Sequence, residues 1–336
     1  MPVEQLTAEP TSIAEAKPGL QDNFDEFYGG LRLACALEKR YSCKVLGVEE
    51  SQLQDIAGNF DYENLRDMTD KLNALFYGRT EQSARYDDII DQAIALNGDS
   101  GEASEALSNP DMLGLAKNLA RAGLLFELNS NMLDISSRKH AGHLHSRRKH
   151  NTGDRPKNPV KRSEKVKQLI GFNHLIRDLV DSQTAGQLRL DRKRAHKLIK
   201  TILLGNERAA GIVESGVALE VAAKRLLSSQ IGRLFGRSVV DYGDVEQDSK
   251  GGDIVVSTPH RGDILIDVKK FAPSEVREAM GRDLDDEPGY FWRSPQHIFL
   301  WLGPERKIDN EYRLPQEFAQ VSHQLINEIF AQPAVA

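Results

Sequence analysis

Apolar residues recur at helical spacing over the first third of the chain. Phe24, Phe27, Leu31, Cys35 and Leu37 follow this period, as do Leu65, Met68, Leu72, Leu75 and Phe76, and later Leu113, Leu115, Leu119, Leu124 and Leu125. The pattern predicts an all-helical domain over 21–137, broken by loops at Asn97-Gly98 and between Ser100 and Pro110. Residues 1–20 hold Pro2, Pro10 and Pro18 and few apolar positions, which predicts disorder. Helical spacing returns over 164–180, 188–204 and 212–229. The text then becomes strand-like, with short apolar runs at 238–242, 253–257, 263–269 and 297–302. A helix over 275–284 separates the last two, and another over 315–330 closes the series. From residue 212 the order is helix, three strands, helix, strand, an α/β core preceded by helices.

Charge changes this picture. A chain of 336 residues suits two domains, and its net charge of −6 conceals an asymmetry. Residues 1–137 carry 11 Lys and Arg against 24 Asp and Glu, so the excess of base lies in the remainder. The run from Arg138 to Lys167 holds eleven basic residues and two acids, with Pro156 and Pro159. It predicts a basic flexible linker over 138–163, followed by a basic helical hairpin over 164–204 and a C-terminal domain over 205–336. A polyanion partner is compatible with the basic half, and a protein partner with the acidic one. The two cysteines, Cys35 and Cys43, are too few for a disulfide framework and predict buried apolar positions. No apolar run is long enough to span a membrane and the start lacks a secretory pattern, so the expected location is the cytoplasm.

The chemistry concentrates in two strand candidates. Along Asp263-Ile-Leu-Ile-Asp-Val-Lys269, alternation puts Ile264, Ile266 and Val268 on one face and Leu265, Asp267 and Lys269 on the other. The preceding strand opens with Gly251-Gly252-Asp253. A hairpin through Pro259 to Gly262 brings Asp253 and Asp267 to the same side. Two converging carboxylates need a cation, a shared proton or an ammonium. Mg2+, or Mn2+ in its place, takes such oxygen ligands together with waters and phosphate. Lys269 would then orient or deprotonate a water, or stabilise charge on the phosphate.

Gly-Gly-Asp253-Ile-Val-Val followed by Ile-Leu-Ile-Asp267-Val-Lys269 resembles the signature of the PD-(D/E)XK, or restriction-endonuclease-like, nucleases. That family's core is αβββαβ around a mixed four-stranded sheet, the order read above. The resemblance implies Asp253, Asp267 and Lys269 as catalytic residues. It also implies a Glu on the first core helix, Glu220 or else Glu214, completing the metal site with Asp253 and Asp267. Gly252 stands where the family often has Pro. The likeness covers about residues 205–305 and makes a homodimer plausible.

Nucleic-acid contacts are expected from a cationic stripe, Arg189, Lys193, Lys197 and Lys200, with Arg192 and His196 beside it, and from Arg147, Arg148 and Lys149 in the linker. Tyr290, Phe291 and Trp292 suit packing between a helix and a strand better than base stacking. The leading expectation is a Mg2+-dependent DNA endonuclease. The alternatives are a non-catalytic nucleic-acid-binding or scaffold protein on a nuclease-like fold, and an RNA-directed enzyme with the same site.

Overall fold

The computed structural model describes residues 23–54, 62–78, 80–98, 108–147, 164–181, 188, 190–235, 239–249, 251–280, 287–303 and 307–331, with 54, 62, 98, 132–147, 164–166, 275, 279, 280 and 317 described as backbone. The predicted disorder of 1–20 and most of the predicted linker lie outside these residues.

Among the described residues, eight helices come first: α1 (Phe24–Leu46), α2 (Glu50–Gln54), α3 (Tyr62–Tyr77), α4 (Glu81–Gly98), α5 (Pro110–Arg147), α6 (Glu164–Asp181), α7 (Arg192–Ile202) and α8 (Glu207–Phe235). There follow β1 (Val240–Tyr242), α9 (Val245–Asp248), β2 (Ile254–Thr258), β3 (Gly262–Lys269), α10 (Ser274–Met280), β4 (Gly289–Ser294), β5 (His297–Trp301) and α11 (Glu317–Phe330). Among the described residues, no helix is long and apolar enough to cross a membrane.

The helical faces are those the periodicity predicts. Phe27, Leu31, Leu65, Leu72, Leu119 and Leu124 are all buried. Within this apolar packing lies one polar knot. Glu38, 1% exposed, accepts from Tyr86 Oη at 2.5 Å and from Arg121 Nε at 2.8 Å, and Arg121 also pairs with Asp87. Burying a carboxylate is costly unless donors surround it in this way. Cys35 and Cys43 are buried and free, as expected, and burial pushes the Cys35 thiol up to about 12.

The sheet has five strands in the order β1-β2-β3-β5-β4. β1–β2, β2–β3 and β4–β5 are antiparallel, and β3–β5 is parallel. The expected four strands are present, and β4 is an addition. Tyr290, Phe291 and Trp292, expected as a connection, form this edge strand and hairpin with β5. Their packing role stands: Phe291 lies against Phe299, Trp301, Ala272 and Val276, while Tyr290 Oη and Trp292 Nε1 donate to Glu328 at 2.6 and 2.7 Å.

The two sheet faces differ. Ile254, Val256, Ile264, Ile266, Val268, Ile298 and Leu300 belong to the main core, which α8 and α11 also enter. Each fully buried Ile contributes about 1.5–3 kcal/mol through apolar surface removed from water. The opposite face carries the small α10 cluster and, beside it, Asp267 and Lys269.

Two boundaries differ from expectation. α5 continues through residues 138–147, where composition predicted a linker. The main core also runs without interruption from Phe24 on α1 to Ile329 on α11. Helices α1 and α7 join its two parts: Tyr28 Oη lies 2.9 Å from Thr201 Oγ1, and the Lys197 ammonium sits 4.0 Å from the Tyr28 ring.

Candidate active site

The β2–β3 ladder pairs Ile254 with Ile266 and Val255 with Leu265. One step further along this register, Asp253 stands opposite Asp267. Residues opposed across an antiparallel pair share a face, so both carboxylates project to the side away from the main core. Both are buried, at 8% and 6% exposure. Asp253 Oδ2 accepts from Val268 N at 2.7 Å, and Asp267 Oδ1 is ion-paired with Lys269.

A tight loop aims Asp253. Gly243 N donates to Asp253 O at 3.0 Å and closes the loop at its neck. A Cβ on Gly243 would lie 1.8 Å from Gly252 O, so only glycine permits this approach. Inside the loop, α9 starts with a capping box, Asp244 Oδ1 accepting from Gln247 N at 2.8 Å and Gln247 Oε1 from Asp244 N at 2.9 Å. Gly251, at φ +90°, then turns the chain into β2. From β5, on the far side of β3, His297 Nε2 reaches Gly251 O at 3.0 Å.

Further carboxylates surround this pair. Burial raises the Asp253 carboxyl well above its usual range, and the charges of Glu220, Asp267 and Asp248 add to that, opposed by Lys269. Burial likewise raises Glu220, with Arg177 opposing and Asp248 reinforcing the shift. Lys269 goes the other way. Burial works against its charge, but Asp267, Asp253 and Asp248 outweigh it and raise the ammonium. Lys269 is therefore held as a cation.

Of the two candidate glutamates on α8, Glu220 adds its charge to the surroundings of Asp253, whereas Glu214 is engaged elsewhere. Glu214 forms a bidentate pair with Arg192, at 2.7 and 3.1 Å. Six residues separate the two, which turns them to different helix faces. Glu220 Oε2 is bound by Arg177 Nη1 at 3.1 Å. Asp248 Oδ2 lies 2.6 Å from His174 Nε2.

Sequence reasoning missed Asp248, His174, Arg177 and His297. The acidic stretch Asp244-Val-Glu-Gln-Asp248 and the i, i+3 spacing of His174 and Arg177 were visible, but their meeting depends on tertiary contacts.

Among the described residues, no three His, Cys, Asp or Glu side chains converge into a ready ligand cluster. Asp267 Oδ1 is buried and held by the Lys269 ammonium. Two buried carboxylates facing each other suit a hard cation, which commonly takes one or two carboxylates and completes its shell with water and phosphate.

The nucleic-acid residues are placed unevenly. Arg189, Arg148 and Lys149 lie outside the described residues, and Arg147 ends α5 as backbone. Arg192 is committed to Glu214 and to Ile308 O at 2.7 Å. Lys200 and His196 both pair with Glu207 on α8, and Lys197 packs on Tyr28. Lys193 is exposed. The stripe is thus largely engaged in holding α7 to its neighbours.

No protein-family model, curated protein or solved structure matches this chain.

Proposed function

We propose that the chain is a Mg2+-dependent endonuclease that hydrolyses DNA phosphodiester bonds, with Asp253, Asp267 and Lys269 at its centre and Glu220 beside them. The observation that carries this reading is the ladder register, which sets Asp253 across from Asp267 with the Lys269 ammonium paired to the latter.

Asp253 and Asp267 would hold the divalent ion, which supplies Lewis-acid charge to the scissile phosphate when bound. Glu220 adds negative charge on the α8 side. Lys269, ion-paired with Asp267, would place a positive charge beside the phosphate oxygens as negative charge develops on them. The apolar floor under β3 locks the strand, so these groups need little reorganisation as charge develops.

Purified protein with Mg2+ is expected to nick or cut plasmid DNA. Asp267→Ala and Lys269→Ala are each expected to lower the rate about 100-fold or more without loss of helical circular dichroism. Equal cleavage by wild type and both variants would sink the assignment.

A further inference from the structure

We propose that α6, which precedes the strands in the chain, is a working part of the candidate site, with His174 and Arg177 as positioning residues for the flanking carboxylates Asp248 and Glu220. This rests on the metal-site reading above.

Arg177 is 2% exposed. Its Nη1 donates to Glu220 Oε2 at 3.1 Å and its Nη2 to Gly243 O at 3.4 Å. Its guanidinium lies 4.0 Å from the centre of the Tyr242 ring. One side chain therefore grips the glutamate on α8 and the neck of the loop that presents Asp253. His174, one turn earlier on the same face, holds Asp248 inside that loop at 2.6 Å.

A fully buried guanidinium is expensive to desolvate, and an aliphatic residue would pack there at lower cost. Its two Nη groups instead tie the Glu220 carboxylate and the Gly243 carbonyl together in fixed directions, which a point charge does poorly. The helix is itself anchored. Asp181, at its end, receives Lys224 Nζ at 3.1 Å, Arg225 Nε at 3.0 Å and Tyr242 Oη at 3.1 Å. Residues that orient charged groups around a metal typically change its affinity 10–100-fold when removed.

The test is calorimetric titration of the full chain with Mn2+. Arg177→Lys keeps the charge and loses the paired Nη groups, and His174→Ala loses the contact to Asp248. Each is expected to weaken Mn2+ binding about 10-fold. His174→Gln, which retains a donor, is expected to bind near the wild-type level. Thermal unfolding of Arg177→Lys should stay within a few degrees of wild type. Wild-type affinity in both Arg177→Lys and His174→Ala, while Asp253→Asn loses binding, would overturn the positioning role and leave the site standing. Undiminished binding by Asp253→Asn, or none by the wild type, would overturn the metal reading and this inference with it.

Discussion

Gly251 is the residue at which backbone and site chemistry meet. Its φ of +90° favours glycine, and an added Cβ would stand 3.0 Å from Asp267 Oδ2 and 3.3 Å from the His297 ring. Gly262 makes a useful contrast, because it also has positive φ, +71°, but open space around it. Gly262→Ala is expected to cost about 1–2 kcal/mol from backbone strain alone. Gly251→Ala should cost more and should also lower cleavage, by disturbing Asp267. Urea melts and plasmid nicking on both variants separate the two effects. Glu127 gives a prediction of another kind. Burial raises its carboxyl to about 7, against a weak hydrogen bond from Asn206. The folded state therefore holds a proton that the unfolded chain releases near pH 4.5. Stability from this group is present at low pH and is lost as pH rises through about 7, by up to about 3 kcal/mol. The unfolding midpoint should fall between pH 5 and pH 8, and Glu127→Gln should flatten that slope. An unchanged slope in the variant would show that Glu127 does not titrate in this window.

At the scale of elements, what the sequence revealed depended on how local the signal was. The strands β2 and β3 were legible because alternation and a glycine-led turn lie within fifteen or so residues, and their pairing follows from the same short stretch. β4 was not, because Tyr290-Phe-Trp-Arg shows no alternation and its ladder with β5 carries a bulge between Trp292 and Ser294. The extension of α5 was hidden by composition. Basic residues suggested a solvated tether, yet no proline occurs before Pro156 to stop a helix. Choosing Glu220 over Glu214 needed the partner of each, and Arg177 and Arg192 declare themselves only in three dimensions. The same holds for α7, whose cationic period was visible while its acidic partners on α8 were not. Arg192→Ala is accordingly expected to cost about 2 kcal/mol, through lost charged hydrogen bonds to Glu214 and the carbonyl of Ile308. Lys193→Ala, at an exposed position, should leave stability within about 0.5 kcal/mol of wild type. Thermal melts of the two variants check the ranking.

For the whole molecule, the governing feature is the uninterrupted core. Composition divides the chain by charge, but buried apolar side chains pass from α1 through α5, α7 and α8 into the sheet. Heat or denaturant is therefore expected to unfold the described regions together, with far-ultraviolet circular dichroism and tryptophan fluorescence giving coincident transitions. Both tryptophans, Trp292 and Trp301, lie in the sheet, whereas most of the dichroism comes from helices. Two separated transitions would contradict a shared core. A fragment beginning at residue 205 would leave α8 without α6 and α7, which pack against it, and would also lack Arg177. The acidic helices α1 and α5 pack in turn on α7 and α6. An engineer wishing to exchange them for another domain would find no clean seam, because the scissors would pass through that helix packing rather than along a bare linker.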